Sequence, residues 1–156
     1  MAVERPLRVA VCGAESAPPE MLAAAEEVGR LLAEAGAVVI CGGRGGVMEA
    51  VARGAAGAGG LTVGILPGRT ASEANPYISI PLPTGMGEGR NVLVVRSADA
   101  VIAIGGEWGT LSEIALARKM GIPVVLLHPT LARGLDVPVA DGPKAAVDFA
   151  LGVRAR

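Results

Sequence analysis

Short, largely apolar runs that stop abruptly at glycine constrain this chain's fold more than any other feature. Leu7 to Cys12 ends at Gly13, Ala37 to Cys41 at Gly42–Gly46, and Ala100 to Ile104 at Gly105–Gly109. Leu61 to Leu66 closes on Pro67-Gly68, and a fourth glycine cluster, Gly85–Gly89, lies in the Gly/Pro-rich stretch Pro81 to Gly89 after a further run, Tyr77 to Ile80. Runs that are apolar throughout, rather than alternating, fit strands covered on both faces. Ile122 to Leu127 reads as a sixth strand. Between the strands the periodicity turns helical. In Pro19 to Ala35 the apolar residues Leu22, Ala25, Val28, Leu32 and Ala35 share one face, Pro19 suits the first turn and Gly36 the stop. Further helices are predicted over Val47 to Ala58, Arg90 to Ser97, Thr110 to Met120 and Lys144 to Leu151. Leu131 to Pro143 reads as irregular.

Strand and helix in alternation predict a three-layer, doubly wound, Rossmann-like α/β fold with a mostly parallel sheet of six or seven strands. At 156 residues the whole chain, 1–156, is expected to be a single domain. Half of it is apolar, yet its longest apolar runs are far shorter than the roughly 20 residues a membrane span needs. Met1 to Val11 has no secretion-signal pattern, so a cytoplasmic protein is expected. The net charge is −1, with no basic tract to mark a nucleic-acid partner. Cys12 and Cys41 read as small buried residues, and no His/Cys/Asp cluster suggests a metal.

In a doubly wound sheet, ligands bind beyond the carboxyl ends of the strands where strand order reverses. Glycine there permits positive φ and lets backbone N–H groups close on an anion, and a helix starting just afterwards aims its positive end at the same point. Gly105-Gly106-Glu107-Trp108-Gly109-Thr110 has this strand–glycine–helix order. It is no Walker loop, because no Gly-Lys-Ser/Thr follows, and the first strand lacks the Gly-x-Gly-x-x-Gly of a dinucleotide dehydrogenase.

Together, Gly42-Gly43-Arg44-Gly45-Gly46-Val47-Met48, Arg90, and Gly105-Gly106-Glu107-Trp108-Gly109-Thr110-Leu111-Ser112-Glu113 resemble the LOG family, cytokinin-activating nucleotide phosphoribohydrolases. The resemblance runs from about Leu7 to Leu127. In that family a Pro-Gly-Gly-x-Gly-Thr-x-x-Glu loop binds phosphate, and an upstream Arg and the final Glu are the catalytic pair. Arg90 and Glu113 fall on those positions, and Gly109 and Thr110 match the loop. The family's proline is Gly105 here and its second glycine Glu107. Its Met-His-Glu-Arg-Lys segment reads Gly87-Glu88-Gly89-Arg90-Asn91. With Pro83-Thr84-Gly85-Met86-Gly87, these departures are closer to a sister branch of bacterial Rossmann proteins similar to the molybdenum cofactor carrier proteins of algae.

Two functions follow as expectations: a carrier or sensor of a phosphorylated ligand, with molybdopterin leading, or a hydrolase splitting nucleoside 5′-monophosphates into base and ribose 5-phosphate. For the hydrolase, Arg90 and Glu113 are the candidate catalytic residues, an arginine fork on phosphate or ribose and a carboxylate near the anomeric carbon. The candidate binding set is Gly13, Gly43, Arg44, Gly45, Thr84, Gly85, Met86, Gly106, Trp108, Gly109 and Thr110. Arg44 is offered as an anion partner. Thr110 either meets a phosphate or caps its helix. Trp108 either stacks on a flat ring or packs against a partner subunit, and Glu107 is expected to turn away from an anion or to coordinate something else. His128 reads as structural. No lysine has a pyridoxal-type context, so amino-acid decarboxylation has no support and a lysine decarboxylase is not expected. By the same resemblance, a homodimer or larger homo-oligomer is expected.

Overall fold

The computed structural model describes residues 1–153; residues 154–156, which belong to the expected single domain, lie outside the described residues. Six strands form one sheet: β1 (Arg8–Gly13), β2 (Val38–Cys41), β3 (Thr62–Leu66), β4 (Ile80–Pro83), β5 (Ala100–Ile104) and β6 (Val124–Leu127). Their spatial order is β4-β3-β2-β1-β5-β6 and every pairing is parallel. The chain winds outward from β1 to β4, then returns to lay β5 on the other side of β1. Strand order therefore reverses between β1 and β5.

The period of two along each strand sorts the core into two layers. Val9 and Val11 of β1, with Ile102 and Ile104 of β5, face α1 (Pro19–Glu34), α2 (Val47–Gly57) and α5 (Pro143–Leu151). Ala10, Cys12, Val101 and Ala103 face the opposite side, against α3 (Arg90–Arg96) and α4 (Trp108–Met120). Because both faces are covered, the strands need no polar alternation, which is why their sequences are apolar apart from Arg8 and Thr62 at the starts of β1 and β3. At the α1–α2 crossing, a Cβ at Gly29 would lie 2.0 Å from Val51 O and one at Gly54 1.9 Å from Glu26 O, so these glycines set the helix separation. Below the β1–β5 seam, buried Asp99 accepts from the Arg8 backbone N–H at 2.9 Å and pairs with its guanidinium at 3.0 Å.

The structure corrects several element boundaries. The fourth strand is Ile80–Pro83, not Tyr77 to Ile80, so part of the expected Pro81–Gly89 loop is strand. Proline lacks an N–H and is confined to sheet margins, and β4 is a margin, pairing Gly64 with Pro81 and Leu66 with Pro83. Gly87–Gly89 forms a 3₁₀ turn leading into α3. α4 begins at Trp108 rather than Thr110, so Trp108 and Gly109 are already helical rather than part of the turn. The sixth strand begins at Val124 rather than Ile122, and the last helix at Pro143.

Candidate functional site

A cavity of about 1060 Å³ opens over the point where strand order reverses. Its floor is the end of β1: Val11, Cys12 and Gly13. One wall comes from Ala14 to Ser16, Gly42, Arg44 and Met48, and the other from the start of α4, Glu107 to Thr110, with Ser112 and Glu113. Pro67, Glu88, Arg90 and Asn91 close the side. Two helices of eleven and thirteen residues, α2 and α4, begin at this cavity. The first N–H groups of a helix have no partner in the preceding turn and carry its partial positive charge.

The local sequence explains how these walls form. Gly46 adopts φ 63°, and a Cβ there would sit 2.3 Å from Ala14 O. Glycine thus lets the loop after β1 lie against the start of α2, where Val47 N–H donates to Ala14 O at 3.0 Å. Gly106, at φ 104°, plays the same part for α4: a Cβ would meet Thr110 Cβ at 2.3 Å. Its carbonyl accepts from Thr130 Oγ1.

Arg90 crosses the cavity side in a fixed pose. Nε donates to Ile65 O at 2.9 Å and Nη1 donates to Asn91 Oδ1. A Cβ at Gly42 would lie 2.7 Å from Nη2, so glycine clears the path of the guanidinium. Asn91 Nδ2 reaches Ser112 Oγ at 3.4 Å, and Ser112 Oγ donates to Gly109 O at 2.6 Å. A polar chain thereby ties the arginine to the first turn of α4.

Glu113 is 8% exposed and lines the cavity beside Cys12. Cys12 Sγ donates to Glu113 Oε2 at 3.2 Å. Burial pushes the Glu113 carboxyl up to about 7, against the opposing pull of the Cys12 hydrogen bond and the Arg90 charge. Burial, reinforced by the Glu113 charge, raises the Cys12 thiol, so it stays protonated at neutral pH. Cys41 is raised to about 11 for the same first reason. Both cysteines are buried as expected, but Cys12 has a polar partner that small-residue packing does not imply.

Of the residues singled out in the sequence, Gly13, Arg44, Arg90, Trp108, Gly109, Thr110 and Glu113 meet at this cavity. Arg44 is half-exposed, its Nε 3.5 Å from Glu15 Oε1. Trp108 is 74% exposed. Glu107, expected to turn away, contributes to the wall. Gly43, Gly45, Thr84, Gly85, Met86 and Gly106 are not in the lining. Gly43 shapes the backbone instead, its carbonyl accepting from Asn75 N–H at 2.9 Å. Thr84 Oγ1 donates to Leu66 O at 2.7 Å and accepts from Met86 N–H at 3.1 Å, which spends its hydroxyl within its own turn. His128 is exposed, at φ 49°, and outside the lining. Asn91, Ser112, Glu15, Ser16 and Glu88 line the cavity without prior mark in the sequence. For Asn91 a signal existed: it replaces the lysine that follows the arginine in the LOG pattern. Among the described residues, no group of His, Cys, Asp and Glu could hold a metal ion, and no helix is long and apolar enough to cross a membrane.

Residues 6–145 match the SLOG cluster4 family. The chain belongs to that family. An uncharacterised protein of Archaeoglobus fulgidus is 44% identical over 146 residues, 93% of this chain and 95% of the relative. Among solved structures, the molybdenum cofactor binding protein of Rippkaea orientalis superposes with a TM-score of 0.90 at 38% identity, covering 96% of this chain and 98% of that one. The molybdenum cofactor carrier protein of Chlamydomonas reinhardtii gives 0.84 at 32% identity, with coverage of 96% and 98%. Membership of SLOG cluster4 and these neighbours agree with the resemblance drawn from the glycine loops and the Pro83–Gly87 segment.

Proposed function

We propose that this chain binds a phosphorylated, nucleotide-like ligand in the cavity over the β1–β5 seam and acts as its carrier, with the molybdenum cofactor as the leading ligand. The observation that carries this reading is convergence: the first turns of α2 and α4, Arg44 and Arg90 border one cavity large enough for a fused-ring phosphate ester. The similarity to proteins named for binding or carrying the molybdenum cofactor supports the choice of ligand. In this reading Gly109 and Thr110 present backbone amides to the phosphate, Arg44 balances its charge, Arg90 lines the side of the cavity, and Trp108 covers the flat ring. Molybdenum cofactor released from a molybdoenzyme should stay with the protein through gel filtration, measured as molybdenum and pterin per chain. Arg90→Ala should reduce that retention. Failure of the intact protein to retain either component overturns the proposal.

The joint presence of Arg90 and Glu113 in the cavity favours a second reading, phosphoribohydrolase activity. Arg90 would hold the phosphate or ribose, and the Glu113 carboxylate would position water at the anomeric carbon as oxocarbenium charge develops. Incubation with AMP and adenine-modified nucleotides tests it: release of ribose 5-phosphate supports hydrolysis, and binding without release removes it. Assembly into a homodimer or larger homo-oligomer belongs to either reading, since exposed Trp108 beside the cavity suits a subunit contact. A monomer in gel filtration at micromolar concentration overturns it.

A further inference from the structure

The cavity floor carries a donor–acceptor pattern that the phosphate-binding walls do not explain. Glu113 is nearly buried, one of its oxygens is engaged by the Cys12 thiol, and no hydrogen bond occupies Oε1 among the described residues. Arg90 lies close enough to influence the charge of Glu113, yet no ion pair joins them among the described residues: the arginine spends Nε on Ile65 O and Nη1 on Asn91. Nη2 makes no hydrogen bond among the described residues and passes over Gly42. The cavity therefore offers a carboxylate acceptor on its floor and an N–H donor on its side, both without a protein partner among the described residues.

We propose that Cys12 positions Glu113 so that its carboxylate, beside Nη2 of Arg90, reads the 2-amino-4-oxo edge of a pterin or guanine ring. That edge presents an amino group, a ring N–H and a carbonyl side by side. The first two donate to the carboxylate, and the carbonyl accepts from the guanidinium. An adenine edge presents one amino group and a ring nitrogen acceptor, which leaves the carboxylate one donor short and the guanidinium without a carbonyl. Sites built to hydrogen-bond a polar edge reject analogues that leave buried groups unpaired. This inference rests on the phosphorylated-ligand reading above and adds the identity of the ring. Cys12 is a positioning residue, acting through Glu113.

Several charged or titratable groups face the floor. Cys12 comes from β1, Cys41 from β2 and Arg90 from α3, while Glu15, Arg44, Glu88 and Glu107 stand on the walls. Only ionised Glu113 accepts two donors, so affinity for a 2-amino-4-oxo ring should rise with pH through about 7 and then level off. Loss of the Cys12 S–H removes a bond that favours the ionised form, so Cys12→Ala should move that midpoint to higher pH. Cys12→Ser, which keeps a donor, should return it.

The test is calorimetric titration of the full chain with phosphorylated 6-hydroxymethylpterin, GMP and AMP. The pterin, GMP or both should bind about tenfold or more tightly than AMP, a difference worth about 1.4 kcal/mol. The pterin alone binding assigns a pterin cargo, and GMP binding as well assigns the shared edge. Glu113→Gln should cost about tenfold for these ligands and leave AMP little changed. AMP binding as tightly as the other two, or an unmoved pH midpoint in Cys12→Ala, overturns the inference while the phosphorylated-ligand reading stands. Binding of none of the three overturns both. A readout free of ligand accompanies these: the infrared S–H stretch of Cys12 should shift as Glu113 titrates and lose that shift in Glu113→Gln. A band insensitive to pH overturns the positioning role.

Discussion

The turn after β4 and the turn after β5 have much the same composition and opposite fates. Thr84-Gly85-Met86 and Gly105-Gly106-Glu107-Trp108-Gly109-Thr110 both follow a parallel strand and both contain glycines at positive φ. Only the second borders the cavity. β5 lies against β1, where strand order reverses; β4 is the sheet margin, three strands away. The turn after β4 also satisfies itself, with the Thr84 hydroxyl bonded to Leu66 O and Met86 N–H. The turn after β5 runs straight into a long helix whose first amides stay open. Position in the sheet, rather than glycine content, separates the turn that borders the cavity from the one that does not.

Glycine replacement is the strongest way to break this comparison. Gly106→Ala forces a Cβ to 2.3 Å from Thr110 Cβ at φ 104°, and should cost about 3 kcal/mol in denaturant unfolding and abolish ligand retention. Gly85→Ala, with only Arg69 Cγ at 3.4 Å, should cost about 1 kcal/mol and leave retention intact. Equal effects of the two on binding would refute the distinction.

The next effect sharpens what lies beneath the β5 turn. The Glu113 carboxyl is raised from 4.5 to about 7 in the folded protein. The folded state thus holds this proton more tightly than the unfolded state, so the contribution of Glu113 to stability falls as pH rises from about 4.5 to about 7 and is constant above. Above pH 7, Glu113→Gln should exceed the parent in stability by about 3 kcal/mol, and the gap should close toward pH 4.5. Urea unfolding across that range measures it.

A smaller loss is expected where the β4 turn closes on itself. Thr84→Val removes both hydrogen bonds of the hydroxyl, the part-buried one to Leu66 O and the exposed one from Met86 N–H, and should cost about 1 kcal/mol without changing ligand affinity. The smallest effect belongs to the half-exposed pair on the other wall. Glu15→Gln should change stability by less than about 0.5 kcal/mol, since its partner Arg44 is also solvated. The same change should strengthen phosphate-ligand binding slightly at low salt, as Arg44 loses its competitor.

Sequence made the sheet legible because burial on both faces leaves apolar runs that no other arrangement explains. It located Arg44, Arg90, Thr110 and Glu113, which stand just beyond a strand end or in the first two turns of a helix. Thr84 and Met86 were placed with them because a one-dimensional reading cannot rank strands by their distance from the seam. The prolines of β4 displaced the predicted strand, since Pro81 and Pro83 read as loop residues until their strand is known to be a margin. Asn91 and Ser112 stayed hidden because their role is relational: each is an ordinary polar residue until the arginine and the α4 turn are brought within reach. Cys12 was legible as buried but not as bonded, because its partner lies 101 residues away.

The prolines of β4 have a further consequence. Two of its four residues offer no hydrogen to a neighbouring backbone, and at the far side Val139 bridges Leu126 while Ala140 N–H donates to Leu126 O. Both flanks of the sheet are thus poor templates for another strand. Copies of this chain are blocked from zipping into a continuous ribbon, and any self-association must proceed through helix surfaces or around the mouth of the cavity.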